Sequence, residues 1–161
     1  MDIREALQAD WPRIYPFYAT TVEVGETYAF PLAQSQDEAE SWWMEKPPGL
    51  TFVATDGDDV LGSAKAGPNR PGRGSHVATA SFMVDPRHRG RGVGRALGEH
   101  VIAWARDGGY VAMQFNAVVE TNTAAVALWK ALGFEVIGTV PEAFEHRIHG
   151  PVGLHVMYRR L

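Results

Sequence analysis

Apolar residues recur along this chain of 161 residues in two different patterns, one typical of helices and one typical of strands. Helical spacing predicts four helices, at residues 10–21, 35–44, 93–107 and 122–132. Alternation predicts seven strands, at residues 3–6, 50–55, 60–66, 77–84, 110–118, 134–140 and 154–158. Residues 141–153 form a predicted loop that is long for a compact domain, which suggests a functional loop.

A glycine-rich turn joins the fourth predicted strand to the third predicted helix. Residues 89–94 read Arg-Gly-Arg-Gly-Val-Gly, and Asp85-Pro86 ends the strand because proline cannot continue a ladder. Glycines let the backbone turn tightly with its N–H groups directed outward at a helix N-terminus, where anions bind. Arginines 87, 89, 91 and 95 add positive charge. The turn therefore predicts a phosphate site, best suited to a pyrophosphate.

Two common nucleotide-binding patterns do not match this turn. The P-loop needs a lysine after a glycine, and none of Lys46, Lys65 and Lys130 follows one. The dinucleotide fingerprint needs glycine or alanine where this chain has Leu97, and no acidic residue ends a strand about 20 residues later. Both of these ligand classes are therefore disfavoured.

Composition narrows the class of protein further. Hydrophobic residues make up 45% and charged residues 21%, as in ordinary globular proteins, so we expect residues 1–161 to form a single domain. A net charge of −4 argues against nucleic-acid partners. The absence of cysteine excludes disulfides and thiolate catalysis. Without a signal peptide or an apolar run of membrane-spanning length, we expect a cytoplasmic enzyme with no membrane partner.

The turn and a later segment together resemble the GCN5-related N-acetyltransferase (GNAT) superfamily. The turn matches that family's pyrophosphate motif as Arg89-x-x-Gly92-x-Gly94. The later segment runs Met113-Gln114-Phe115-Asn116, then Thr121-Asn122, then Leu128-Trp129-Lys130-Ala131-Leu132-Gly133-Phe134. The resemblance implies an α/β fold in the order β-α-α-β-β-β-α-β-α-β-β, with a mixed, mostly antiparallel sheet of six to seven strands and about four helices. Many such relatives form homodimers, which by analogy predicts a possible homodimer.

The resemblance also implies acetyl-CoA as co-substrate and direct transfer of its acetyl group to an amine in a ternary complex. Backbone groups of Met83 and Val84 are then expected to pair with the pantetheine arm and to polarise the acetyl carbonyl. Asn122 is expected to cap its helix and to contact the arm. The pyrophosphate is expected on backbone N–H groups of Arg89, Gly90, Arg91, Gly92, Val93, Gly94 and Arg95.

Catalytic groups are harder to assign from the sequence. Trp129 stands where the family usually has a tyrosine that protonates the departing sulfur, and an indole cannot be that acid. We therefore expect Trp129 to orient the cofactor, with a plain core tryptophan as the alternative. The strand at 76–84 has no acidic residue, so the base is either Glu26 or ordered water. A solvated loop residue is the other interpretation of Glu26.

The acceptor side resembles the subgroup that acetylates azetidine-2-carboxylate and related proline analogues. Asn116 matches a substrate-binding asparagine of that subgroup, with capping of the sheet end as the alternative. Thr79 stands where the subgroup has a second asparagine. Tyr28, near Trp42, either walls a substrate pocket or packs beneath the second helix. The predicted acceptor is thus a small, amino-acid-like amine.

Two other functions and one other type of site stay open at this point. The acceptor is alternatively a protein N-terminus, a lysine or an aminoglycoside, or the chain is a non-catalytic acetyl-CoA-binding module. Histidines 146, 149 and 155 invite a metal site, but they lack the helical spacing and the intervening glutamate of known zinc motifs, so no metal is predicted.

Overall fold

A seven-stranded sheet forms the centre of the computed structural model, which describes residues 1–161. The strands are β1 Asp2–Glu5, β2 Leu50–Asp56, β3 Asp59–Pro68, β4 Val77–Val84, β5 Ala112–Val119, β6 Glu135–His146 and β7 Gly150–Arg160. The helices are α1 Trp11–Val24, α2 Gln36–Trp43, α3 Val93–Asp107 and α4 Thr123–Ala131. The spatial strand order is β1-β2-β3-β4-β5-β7-β6, and only β4 and β5 are parallel. The predicted element order and fold class are confirmed.

Helix ends follow the local sequence with one exception. The Ser35 hydroxyl accepts from the Glu38 amide at 3.2 Å and the Glu38 carboxylate accepts from the Ser35 amide at 2.8 Å, so α2 begins with a capping box. The exception is Asp10, the residue before α1, whose side chain does not cap that helix. Its carboxylate instead accepts from the Leu7 amide at 2.7 Å and pairs with Arg4.

Residues 141–153 are not a loop, and that prediction is wrong. Strand β6 continues to His146, and β7 begins at Gly150 after a short turn. Two register shifts in β6 interrupt the alternation that would have revealed the strand, and Pro141 and Pro151 add misleading turn signals. The hairpin reaches the end of α1, where the Arg147 amide donates to the Gly25 carbonyl at 3.1 Å.

Each face of the sheet carries its own apolar core. Helices α3 and α4 cover one face, where Leu97, Met113 and Trp129 are buried. Helices α1 and α2 cover part of the other face, where Ile14 and Trp43 are buried. Burying each such side chain stabilises the fold by about 1.5–3 kcal/mol. No helix has the length and apolar character needed to cross a bilayer.

The sheet opens between its two parallel strands. Strands β4 and β5 pair only at Val77 with Ala112 and at Ala78 with Met113. Beyond these two pairs the strands have no partner on their facing edges, although each remains paired on its other side. The result is a V-shaped gap (the β4–β5 gap) that connects the two faces of the sheet.

Candidate functional site

A cleft of about 950 Å³ lies at the β4–β5 gap. It is lined by segments from the turn before α3, both facing strands, the start of α4, the α1–α2 loop and the β6–β7 hairpin. Most residues that the sequence suggested for a site meet here. The lining includes Glu26, Tyr28, Thr79, Met83, Val84, Arg89, Gly90, Gly92, Val93, Gly94, Arg95, Asn116, Asn122 and Trp129.

The register of β4 on β3 decides which backbone groups face the gap. The Asp85 amide donates to Leu61 of β3 at 3.0 Å, and the Val77 carbonyl accepts from Asn69 at 2.7 Å. Backbone groups of an antiparallel strand alternate in direction, so the odd-numbered residues of β4 bond to β3. The N–H and C=O groups of the even-numbered residues Ala80, Phe82 and Val84 therefore point into the gap.

This register corrects the expectation for Met83. Its backbone groups belong to the β3 ladder, and its side chain is buried against α1 and α2. Val84 does present backbone groups to the gap, and Phe82, which the sequence did not single out, presents the next pair. Such an unpaired edge binds an extended ligand in the way that it would bind another strand.

The turn before α3 has the geometry of an anion site. Gly90 and Gly92 have φ angles of 75° and 78°, and a Cβ at either position would meet no atom within 4 Å. The first intrahelical bond runs from the Ala96 amide to the Gly92 carbonyl at 3.0 Å. The amides of residues 93–95 therefore have no partner within the helix, and these residues line the cleft. A diphosphate fits both this space and the helix dipole.

Only part of the predicted arginine charge is available at this turn. Arg87 binds the buried Asp85 carboxylate at 2.6 Å. Burial opposes ionisation of Asp85, but the hydrogen bonds from Arg87 outweigh it and lower the pKa of that carboxyl. The Arg91 guanidinium turns away to Asp56 at 3.1 Å, so only its backbone remains at the turn. Arg89 and Arg95 line the cleft.

Aromatic rings form the floor of the gap on the α3–α4 side. The Trp129 ring lies 4.6 Å from Phe82 and 4.9 Å from Phe115, measured between centroids. No protein group accepts a hydrogen bond from its indole nitrogen. Every fully buried polar side-chain atom of the protein has a hydrogen-bond partner, so this nitrogen is not one of them. The Trp129 Nε1 is therefore not fully buried, and Trp129 lines the cleft. Beside it, the Asn122 side chain caps α4 by accepting from the Ala125 amide at 3.3 Å.

Polar side chains line the opposite face of the gap. Thr79 and Ser81 of β4 lie beside Asn116 of β5, where a second cavity of about 610 Å³ meets the cleft. Asn116 donates to the Asn69 side chain at 2.6 Å and accepts from Gln114 at 2.9 Å. We call this region the acceptor face. Lys46, Lys65 and Arg70 line the second cavity.

Tyr28 reaches the gap from the α1–α2 loop. Its ring packs on Phe30 and Trp43, at 4.9 and 6.1 Å between centroids. Its hydroxyl donates to the Phe82 carbonyl at 2.7 Å and accepts from the Phe82 amide at 2.9 Å. Burial raises the pKa of Tyr28, so the phenol stays protonated at neutral pH. The ring therefore packs against Trp43 of α2, while the hydroxyl reaches the gap. That Tyr28 walls a substrate pocket stays a prediction.

The β6–β7 hairpin brings Arg147 close to the α1–α2 loop and His146 to the cleft. The Glu26 carboxylate lies 3.6 Å from the Arg147 guanidinium. His146, considered in the sequence only as a metal ligand, is buried and lines the cleft. Its Nδ1 accepts from the amides of Ile148 and His149 at 3.1 and 3.2 Å, so the proton of the neutral ring lies on Nε2. The hairpin that positions His146 was not predicted, so its place at the cleft could not be foreseen from the sequence.

Comparisons with known proteins agree with this geometry. The family model described as acetyltransferase (GNAT) family matches residues 2–134. A GCN5-related N-acetyltransferase from Kribbella flavida is 58% identical, with a TM-score of 0.96 over 99% of this chain and 97% of that chain. The protein yncA from Salmonella typhimurium, solved with its cofactor acetyl-CoA, is 26% identical, with a TM-score of 0.89 over 100% of this chain and 94% of that chain.

A curated relative gives a more distant match. N-acetyltransferase aca1 from Schizosaccharomyces pombe is 30% identical over 137 residues. The match covers 76% of this chain but 66% of that protein, so this chain spans a little under two thirds of the relative's length.

Proposed function

Because the chain belongs to the acetyltransferase (GNAT) family, we propose that it is an acetyl-CoA-dependent N-acetyltransferase that acts on a small, amino-acid-like amine. One observation carries the proposal, namely the unpaired edge of β4 leading directly to the free amides at the start of α3. An extended arm that ends in a diphosphate matches both features at once. In this proposal residues 1–161 act as one acetyltransferase domain.

The reaction requires little beyond correct placement of the two substrates. The amine nitrogen attacks the thioester carbonyl carbon, the C–S bond breaks, the sulfur leaves with its electron pair, and the amine loses a proton. Holding the reactants together supplies about 7–11 kcal/mol of the barrier by effective-molarity estimates. A free thiol has a pKa of about 8.5, so the thiolate is a tolerable leaving group near neutral pH. The Trp129 N–H is suited to donate a hydrogen bond to it.

Charge on the acceptor face favours a carboxylate on the amine substrate. The Arg70 guanidinium bonds only to Asn69 and makes no ion pair, so its charge is available in the second cavity. Lys65 shares its charge with Glu45 at 3.0 Å. His146 and Asn116 line the cleft and add polar side chains there. These groups support an acceptor that carries both an amine and a carboxylate, as azetidine-2-carboxylate and proline analogues do.

The general base remains a choice between Glu26 and ordered water. Glu26 lines the cleft, but its carboxylate forms an ion pair with Arg147, which favours a structural role in joining the loop to the hairpin. We therefore propose that an already neutral amine attacks and that its proton leaves through water.

A thiol-release assay with acetyl-CoA tests the proposal. The panel contains α-amino acids, azetidine-2-carboxylate, polyamines, an aminoglycoside and a short peptide, and each amino acid is paired with its carboxamide as a matched control. We expect turnover with amino acids and at least tenfold lower kcat/KM with the carboxamides, as expected when a charged hydrogen-bond partner is lost. Turnover with the peptide or aminoglycoside alone would assign the other acceptor classes. Binding of acetyl-CoA without turnover on any amine would indicate a binding module.

A further inference from the structure

The Tyr28 hydroxyl occupies a backbone position that the proposed reaction needs. It bonds to both the N–H and the C=O of Phe82, which are the groups of that residue that face the β4–β5 gap. A strand residue normally offers these two groups to a neighbouring strand. The phenol therefore satisfies one residue of the open edge of β4, while the backbone of Val84 remains unpaired beside the turn.

Phe82 is also the point on β4 where donor and acceptor sides meet. The turn before α3 follows the C-terminal end of β4. A pantetheine arm that extends from that turn along the strand therefore passes Val84 before Phe82. On the α3–α4 face of the sheet, the Phe82 ring contacts the Trp129 ring. On the other face, the polar side chain of the neighbouring Ser81 lines the cleft as part of the acceptor face. A thioester carbonyl that lies between the two faces has the Phe82 amide as its nearest backbone donor.

A carbonyl oxygen and the phenol cannot both accept the single Phe82 N–H at full strength. We propose that Tyr28 holds the place of the acyl oxygen in the free protein, and that acetyl-CoA takes over the Phe82 N–H while the phenol keeps its bond to the Phe82 carbonyl. The inference rests on the proposed function, because it needs an acyl thioester in the gap.

The exchange leaves the phenol oxygen with a free lone pair next to the acyl carbon. An incoming amine donates one N–H to that oxygen, which directs the nitrogen lone pair towards the carbonyl carbon. The phenol takes no proton in this step, because its own O–H stays bonded to the Phe82 carbonyl. Tyr28 thus positions the amine once the acetyl group has arrived, and CoA without an acetyl group leaves the phenol where it is.

The test compares Tyr28→Phe with Tyr18→Phe. Tyr18 is a matched control, because it is buried in the same aromatic cluster but its hydroxyl bonds to Gln34 at 2.8 Å, away from β4. Calorimetry gives Kd values for CoA and for acetyl-CoA, and the thiol-release assay gives kcat and acceptor KM. We expect Tyr28→Phe to tighten acetyl-CoA binding about 2–10-fold, the size of one neutral hydrogen bond, with CoA affinity unchanged. We expect its kcat to fall about tenfold, as when one well-placed hydrogen bond is lost.

The same experiment separates the two levels of inference. Equal effects on CoA and acetyl-CoA, or a kcat like that of Tyr18→Phe, would overturn the role of Tyr28 and leave the proposed function standing. A wild-type protein that binds neither ligand would overturn the proposed function itself. A second measurement needs no variant, because the amide nitrogen resonance of Phe82 should shift clearly further on adding acetyl-CoA than on adding CoA. Equal shifts with both ligands would also contradict the exchange.

Discussion

The two sides of the β4–β5 gap are built in different ways. The turn before α3 is one contiguous segment, residues 89–95, and it presents main-chain amides. The rest of the cleft, which includes the acceptor face, draws side chains from the α1–α2 loop, β4, β5 and the β6–β7 hairpin. Main-chain groups survive most substitutions, whereas side chains change with each one. In the proposed function, the turn is therefore suited to one constant ligand, and the acceptor face would set the choice of amine.

The largest effect is expected from a side chain placed in the turn. Gly92→Val should weaken acetyl-CoA binding at least 100-fold, because the added carbons would fill the space in front of the amides and strain a backbone with φ of 78°. Calorimetry measures the affinity. Gly109→Val is the matched control, since Gly109 has φ of 81° and equally open surroundings at the far end of α3. Both variants should lose about 1–3 kcal/mol of unfolding free energy from backbone strain. Unchanged acetyl-CoA affinity in Gly92→Val would remove the anion site.

Asparagines on opposite sides of the gap give a sharper comparison. Asn116→Ala should raise the acceptor KM about tenfold, a loss of one or two hydrogen bonds, with acetyl-CoA affinity within about twofold. Asn122→Ala should lower acetyl-CoA affinity and reduce stability by about 1 kcal/mol, because it removes the α4 cap, while the acceptor KM stays constant. Steady-state kinetics with each substrate varied in turn distinguishes the two. The opposite pattern would assign Asn116 to the cofactor side.

The smallest effect on catalysis is expected from a substitution of Trp129, whose ring lies between the two sides of the β4–β5 gap. Trp129→Phe keeps an aromatic ring against Phe82 but removes the N–H at the cleft, so kcat should fall about 3–10-fold, the value of one hydrogen bond to the departing sulfur. Both KM values should stay close to wild type. Trp104→Phe, which alters a half-buried tryptophan on α3 away from the cleft, controls for lost volume. A kcat equal to that of the control would make Trp129 a packing residue.

Local patterns were a reliable guide where neighbouring residues alone decide the structure. The Ser35 and Asn122 starts correspond to side-chain caps, and each capping contact lies within three residues of chain. The predicted strand at 77–84 also has the bounds of β4, although its ladder contacts join it to β3. The β6–β7 hairpin was missed because two register shifts in its pairing break the strand alternation of β6, and because Pro141 and Pro151 resemble turn signals.

The sequence by itself determined the order of elements, the family and the glycine-rich turn before α3, because periodicity and the glycine spacing are local properties of the chain. Only the tertiary structure decided which amides of β4 face the gap, because that direction follows from the register on β3. It also decided that Arg87 and Arg91 have carboxylate partners, and that Tyr28 and His146 reach the cleft. These contacts join residues from different elements, and the free energy that selects them comes from packing the whole sheet.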